Sequence, residues 1–188
     1  MRGSREPHKL SDWKTKGGAK ASTGTFKDAA AFGTVIVLAV KGTAAESAIR
    51  LCGLESLKDK TVIDATNPIA DKPPVKGVLN YFSDINHSLM ETLQTLAPQA
   101  NFVKAFSCVG NGFMVNPNFP GGKPTMFICG NNEKAKATVQ EILTQFGWES
   151  ADMGPVEAAR AIEPLCMLWC IPGMARNQWS HAFKLLKM

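Results

Sequence analysis

Short runs of β-branched and apolar residues recur along this chain, each leaving through glycine or polar residues into a segment with apolar residues at helical spacing. TVIVLAV (34–40) and TVIDATN (61–67) are two such runs, and between them TAAESAIRLCG (43–53) keeps its apolar side chains at helical spacing and stops on Gly53. Continuous apolar runs of this length suit strands covered on both faces, whereas a helix follows a 3.6-residue period. The unit is therefore strand, helix, strand.

The pattern continues. ANFVKAFS (100–107) reads as a third strand, preceded by a helix over SDINHSLMETLQTL (83–96) with Ser83 or Asp84 as its cap. PTMFICG (124–130) is a fourth, followed by a helix over 131–147 capped by Asn131 or Asn132 and stopped at Gly147, and WESADMG (148–154) is a fifth. A short strand is expected at AKAST (19–23). Alternation of this kind predicts an α/β fold, a doubly wound parallel sheet with helices on both faces, whose ligands bind outside the carboxyl ends of the strands. Beyond Pro155, EAARAIEPLCMLWC (157–170) and QWSHAFKLLKM (178–188) read as C-terminal helices. They divide the chain into a domain over 1–154 and a helical segment over 155–188 that packs on the domain or on a second subunit.

Charge is concentrated at the start. Residues 1–27 hold seven basic residues against Glu6 and Asp12, a surplus equal to the net charge of +5 of the whole chain. A general nucleic-acid surface is disfavoured by that distribution and a local anion site is favoured, the alternative being a solvated basic helix. No apolar run approaches the ~20 residues of a membrane-spanning helix, and no apolar segment follows the basic start as in a secretory signal, so a soluble, cytoplasmic protein without membrane partners is expected. Five cysteines with no CxxC spacing suit buried thiols in a reducing compartment. Cys166 and Cys170 share a helix face but have no neighbouring ligands in sequence, so no metal site is expected.

The strand ends should carry the chemistry, and they read LAVKG (38–42), DATNP (64–68) and KAFSCVGNGFM (104–114). Small and amide residues at these exits let a flat ring and a ribose lie close to the backbone. No Ser/His/Asp set stands there, and His8, His87 and His181 fall on expected helices far apart in the chain. No catalytic side chain is therefore assigned. Hydride transfer needs none, because a cofactor carries the chemistry and the protein orients the partners. Gly110-Asn111-Gly112 follows a strand but lacks a third glycine, Val115 standing in its place, so it is not read as a pyrophosphate turn. Met167 and Trp169 have the spacing of core or subunit-interface residues.

DATNP (64–68), VKAF (103–106), VNPNFPGGKPTMFICGNN (115–132), FGWESADMGPVEAARAIEPLCMLW (146–169) and HAFKLL (181–186) together resemble the NADP oxidoreductase family dependent on deazaflavin coenzyme (factor 420). The cytosolic domains of six-transmembrane metalloreductases are more distantly similar. The resemblance implies a Rossmann-type domain in which the first strand ends in a GxGxxG turn and the second in a GSR-type turn for the 2′-phosphate of NADP. Gly3, Ser4 and Arg5 match the second turn, with Lys9 placed to help, so the chain is expected to be N-terminally truncated, beginning at its second strand and leaving TVIVLAV as an open apolar edge. A guanidinium and a hydroxyl in that turn would select phosphate through charge-assisted hydrogen bonds. A ragged basic terminus is the alternative reading of residues 2–9.

By the same resemblance, Ala39, Val40 and Lys41 would line the ribose and pyrophosphate side, a proline or another residue often standing in place of Lys41. Asn67 and Pro68 would lie near the nicotinamide ribose, and residues 110–114 would form the active-site loop. Ser107, Cys108 and Val109 stand where members more often have Asn-Thr-Ile or Asn-Ile-Val, a departure that bears on any contact made by that asparagine. The implied function is NADP-dependent hydride transfer to or from a flat redox acceptor over residues 67–68 and 107–114. Deazaflavin is the family's acceptor, and a flavin, a quinone or a ferric chelate stays open. A homodimer is a further expectation. Rival readings are a non-catalytic module, either a nucleotide sensor or a truncated dimerisation partner of a full-length relative, and phosphate or nucleic-acid binding by the basic start alone.

Overall fold

In the computed structural model, which describes residues 1–186 and 188, the apolar runs form parallel strands joined by helices. β1 (Arg2–Gly3) leads through α1 (Ser11–Gly17) to β2 (Thr23–Gly24), and the two pair in parallel with Gly3 opposite Gly24. α2 (Phe26–Phe32) begins at a reciprocal cap, Thr25 Oγ1 accepting from the Asp28 amide and the Asp28 carboxylate from the Thr25 amide. β3 (Val35–Leu38), α3 (Ala45–Cys52), β4 (Thr61–Asp64), α4 (Leu89–Leu96) and β5 (Asn101–Lys104) follow. Their strands form a parallel ladder in the order β3-β4-β5, with Val37 opposite Ile63 and Ile63 opposite Val103.

β6 (Thr125–Ile128), α5 (Glu133–Gln145) and β7 (Glu149–Asp152) add a second parallel pair. It joins β5 through one bridge, where the Lys104 amide donates to the Cys129 carbonyl at 3.0 Å. α6 (Ala159–Ile162) and α7 (Pro164–Arg176) complete the helices. No described helix is long and apolar enough to cross a membrane.

Period-2 alternation along the strands sorts the core into two faces. Val62 and Phe102 point to one cluster with Ile49, Leu93 and Ile162, while Ile63 and Val103 point to the other with Val139, Leu143 and Trp148. Helices thus cover both faces of the central ladder. Val156, Ala159 and Ile162, from beyond Pro155, are part of the first cluster.

Three expected elements differ. The helix expected from residue 83 begins at Leu89: Asp84 is held in a turn by the Asn86 amide (2.7 Å), and Ser88 caps the helix by exchanging hydrogen bonds with Glu91. A Ser-x-x-Glu capping box satisfies two free amides, which Ser83 or Asp84 could not match. The expected strand at 19–23 is a 3-10 turn over Gly18–Lys20 with β2 just after it.

Residues 178–186 are extended and not helical, because Asn177 ends α7 in the left-handed conformation. The chain then runs beside β6, the Thr125 amide donating to the Phe183 carbonyl (2.9 Å) and the Leu185 amide to Thr125 Oγ1 (3.0 Å). That pairing satisfies backbone groups at the sheet edge, a gain that outweighs the helical apolar spacing. Of the histidines, His8 lies in a 3-10 turn and His87 and His181 lie outside helices.

Glu91 ties α4 to α6, taking two hydrogen bonds from Arg160 Nε at 3.0 and 3.1 Å. Those bonds, opposed by burial, hold its carboxyl at about 2, against an ordinary 4.5. A depressed folded-state pKa stabilises the fold above the unfolded value, and that contribution is lost as pH falls through the folded one. Urea unfolding of the chain should therefore show stability declining between pH 4.5 and about 2, and Glu91→Gln should flatten that part of the profile.

Candidate functional site

Asp64 ends β4 and Lys104 ends β5, and both side chains are fully buried. Lys104 Nζ lies 2.6 Å from Asp64 Oδ2 and 2.9 Å from Glu163 Oε1, and donates to the Thr66 carbonyl at 3.0 Å. Glu163, between α6 and α7, accepts in turn from the Leu89 and Met90 amides at 3.0 Å each, the first turn of α4. Burial pulls the lysine towards its neutral form, but the two carboxylates outweigh it and keep the pKa above the usual lysine value. Asp64 Oδ1 accepts from both the amide (2.9 Å) and the hydroxyl (2.6 Å) of Thr66. The exit DATNP is thus fixed from behind.

In front of that brace three strand exits converge. Asn67 Nδ2 donates to the Ser107 carbonyl at 3.4 Å, linking the ends of β4 and β5. Gly42, past β3, comes so close that a Cβ there would lie 2.0 Å from the Asn67 carbonyl oxygen. Only glycine fits. Among the described residues, the buried Asn67 Oδ1 and Ser107 Oγ have no hydrogen-bond partner. A buried polar atom left unpaired costs about 1–3 kcal/mol, so a polar group brought between these loops would gain two hydrogen bonds.

Pro68 is buried beside them, its carbonyl accepting from the Phe82 amide at 3.0 Å. Ser107 is only 3% exposed, and burial pushes the adjacent Cys108 thiol up to about 12, so it stays protonated at neutral pH. The loop at Gly110 rests on the buried ring of Trp169, which stacks on His181 with centroids 5.0 Å apart. Cys166 and Cys170 are free thiols, and among the described residues no group of three His, Cys, Asp or Glu side chains is arranged to hold a metal.

The turn read from the sequence as an anion site lies at the end of β1. The Ser4 amide donates to the Gly24 carbonyl at 3.0 Å, and Ser4 Oγ accepts from the Glu6 amide at 3.1 Å. Arg5 is exposed and has no carboxylate within ion-pair distance among the described residues, while Lys9 is paired with Glu6 at 2.5 Å. Gly3, Ala39 and Val40 line one groove between β1 and β3. Lys41 turns instead to the exposed Asp71 carboxylate. The sequence reading names residues in two places, around Ser4 and Arg5 and around Asn67 and Ser107, but misses the brace of Asp64, Lys104 and Glu163. Its signals were a lysine inside the apolar NFVKAF and an aspartate closing TVID.

Residues 1–68 match the family model described as NADP oxidoreductase, coenzyme F420-dependent. The metalloreductase STEAP3 of Rattus norvegicus is 32% identical over 127 residues, 65% of this chain and 24% of that protein. The F420-dependent NADP reductase of Methanocaldococcus jannaschii is 29% identical over 143 residues, 76% of this chain and 63% of the reductase. The chain thus spans under two thirds of each of these relatives. Among solved structures, a candidate F420-dependent NADP reductase from Arthrobacter sp. FB24 superposes with a TM-score of 0.91 at 27% identity, covering 98% of this chain and 87% of its own. An imine reductase from Aspergillus terreus, at 15% identity and a TM-score of 0.57 over 87% of this chain and 49% of its own, shares the fold.

Two substitutions test the architecture. Lys104→Met should cost about 3–5 kcal/mol in chemical denaturation, because it strands two buried carboxylates, and adding Asp64→Asn and Glu163→Gln should recover part of the loss. Gly42→Ala should cost about 1–3 kcal/mol by the same measurement, since the backbone at Asn67 must move aside.

Proposed function

We propose that this chain, a member of the coenzyme F420-dependent NADP oxidoreductase family by its residues 1–68, binds NADP(H) across its strand ends and serves hydride transfer between the nicotinamide and a flat acceptor. The observation that carries this reading is the pair of unpartnered polar atoms, Asn67 Oδ1 and Ser107 Oγ, where the exits of three strands meet. Nicotinamide ribose hydroxyls or the carboxamide would complete their hydrogen bonding. Ala39, small and exposed at the end of β3, leaves the backbone there open to a ribose and pyrophosphate.

Bound NADPH supplies the hydride, so this chain needs only to orient the ring, exclude water and hold the phosphates. Arg5, with the Ser4 hydroxyl, holds the 2′-phosphate, and Lys9 joins once its ion pair with Glu6 exchanges for the phosphate. Gly3 leaves the backbone bare beside that turn, and Lys41 faces the pyrophosphate when released from Asp71. Pro68 fixes the approach of Asn67 to the ribose. Residues 1–154 form the cofactor-binding domain, and 155–176 pack their helices on it. A deazaflavin coenzyme fits as acceptor by family, lying over residues 67–68 and 107–114, with a flavin as the other flat acceptor of similar size.

Calorimetric titration with NADPH and with NADH tests the reading. NADPH should bind at least ~10-fold more tightly, about 1.4 kcal/mol. Arg5→Ala should remove that preference and leave NADH binding unchanged, since NADH has no 2′-phosphate. Absence of binding by either nucleotide would overturn it.

A further inference from the structure

β5 leaves its ladder through a residue in a disfavoured conformation. The Ala105 amide bonds back to β4, donating to the Asp64 carbonyl at 3.0 Å, and at the next residue, Phe106, φ is +62°. Left-handed backbone is uncommon in residues with a side chain and an outlier in a bulky one. The other described non-glycine residues with positive φ, Asp59, Lys76, Asn116 and Asn177, are all exposed, whereas Phe106 is buried.

Two contacts hold it there. Its amide donates to Met126 Sδ of β6 at 3.0 Å, a thioether and so a weak acceptor. Its ring packs in the core with Val103, Val139 and Leu143 and lies tilted against Phe146, with centroids 6.4 Å apart. A glycine would take the same φ without steric penalty but has no side chain to fix it. Phenylalanine supplies the anchor, so packing over-determines the geometry. A strained backbone persists under that condition and is found most often at functional sites.

The consequence falls on Ser107. An extended residue at 106 would carry the chain onward along β5 by about 3.3 Å per residue. The left-handed one bends it into a turn at 107–108, where the Ser107 carbonyl accepts from Asn67 Nδ2 at 3.4 Å. The residues bearing the two unpartnered buried atoms, Asn67 Oδ1 and Ser107 Oγ, are thereby brought into contact.

We infer that Phe106 is a positioning residue of the candidate site, its left-handed backbone setting where Ser107 presents its hydroxyl to the nicotinamide end of a bound nucleotide. The inference rests on the proposed binding of NADP(H) and adds to it a residue that acts only through Ser107.

Calorimetric titration of the full chain with NADPH and with adenosine 2′,5′-bisphosphate, which keeps the 2′-phosphate and lacks the nicotinamide, tests it. Phe106→Ala removes the anchor and keeps a Cβ that disfavours positive φ, so NADPH affinity should fall about tenfold while affinity for the bisphosphate is unchanged. Phe106→Gly should recover part of that loss, because glycine returns to positive φ freely. A residue that only fills the core would give the opposite order, glycine being the smaller and the more flexible. Met126→Leu, close in volume, removes only the acceptor of the Phe106 amide and should weaken NADPH in the same sense. It decides the matter if Phe106→Ala does not fold. NADPH affinity unchanged in Phe106→Ala or in Met126→Leu, or no higher in Phe106→Gly than in Phe106→Ala, would overturn the inference alone. A wild-type chain that binds NADPH no more tightly than the bisphosphate would overturn the reading of the site, and the inference with it.

Discussion

The ammonium of Lys104 is surrounded by two carboxylates and a carbonyl in the interior, and it ties together the exits of β4 and β5 behind the site. A charge without partners there would cost far more than a small domain can spare. Paired as it is, it does something apolar packing could not, because it sets directions: Asp64 must face it from β4, Glu163 from the junction of α6 and α7, and Thr66 from the turn after β4. Glu163 extends the constraint to the start of α4 through the amides of Leu89 and Met90. The negative charge left over by two carboxylates and one cation thus rests on the positive end of a helix.

The two ends of the candidate site are built differently. Where the nicotinamide would lie, the backbone is fixed by the brace behind Thr66 and by the approach of Gly42 to Asn67, and the polar atoms offered are buried. Where the 2′-phosphate would lie, Ser4, Arg5 and Lys9 stand on an exposed turn held by a two-residue ladder. Preformed, buried groups supply orientation, while exposed cations supply long-range attraction that salt screens. On the proposed reading, selectivity between nucleotides and placement of the reactive ring would fall to separate parts of the chain.

Most of the fold could be read from periodicity, because TVIVLAV, TVIDATN and ANFVKAFS are unbroken apolar runs and α5 has both a cap at Asn132 and a glycine beyond its end. Local spacing failed where a competing interaction was stronger or more distant. Ser88 and Glu91 displaced the start of α4 by satisfying two amides at once. QWSHAFKLLKM has the spacing of a helix, yet its partner is the edge of β6, some sixty residues earlier in the chain. The resemblance pointed to Ser4, Arg5, Asn67 and Ser107 as site residues, but the brace joins side chains 40 and 59 positions from Lys104 in either direction. Spacing along a chain carries no trace of such a closure.

The extended segment after Asn177 gives the site a dependence on the far end of the chain. His181 lies flat against Trp169, accepts the indole hydrogen bond through its carbonyl at 2.9 Å, and presses the ring toward Gly110. The floor under the loop after β5 is therefore laid by side chains from both sides of the α7 terminus, so a change at His181 would reach Gly110 through the indole alone.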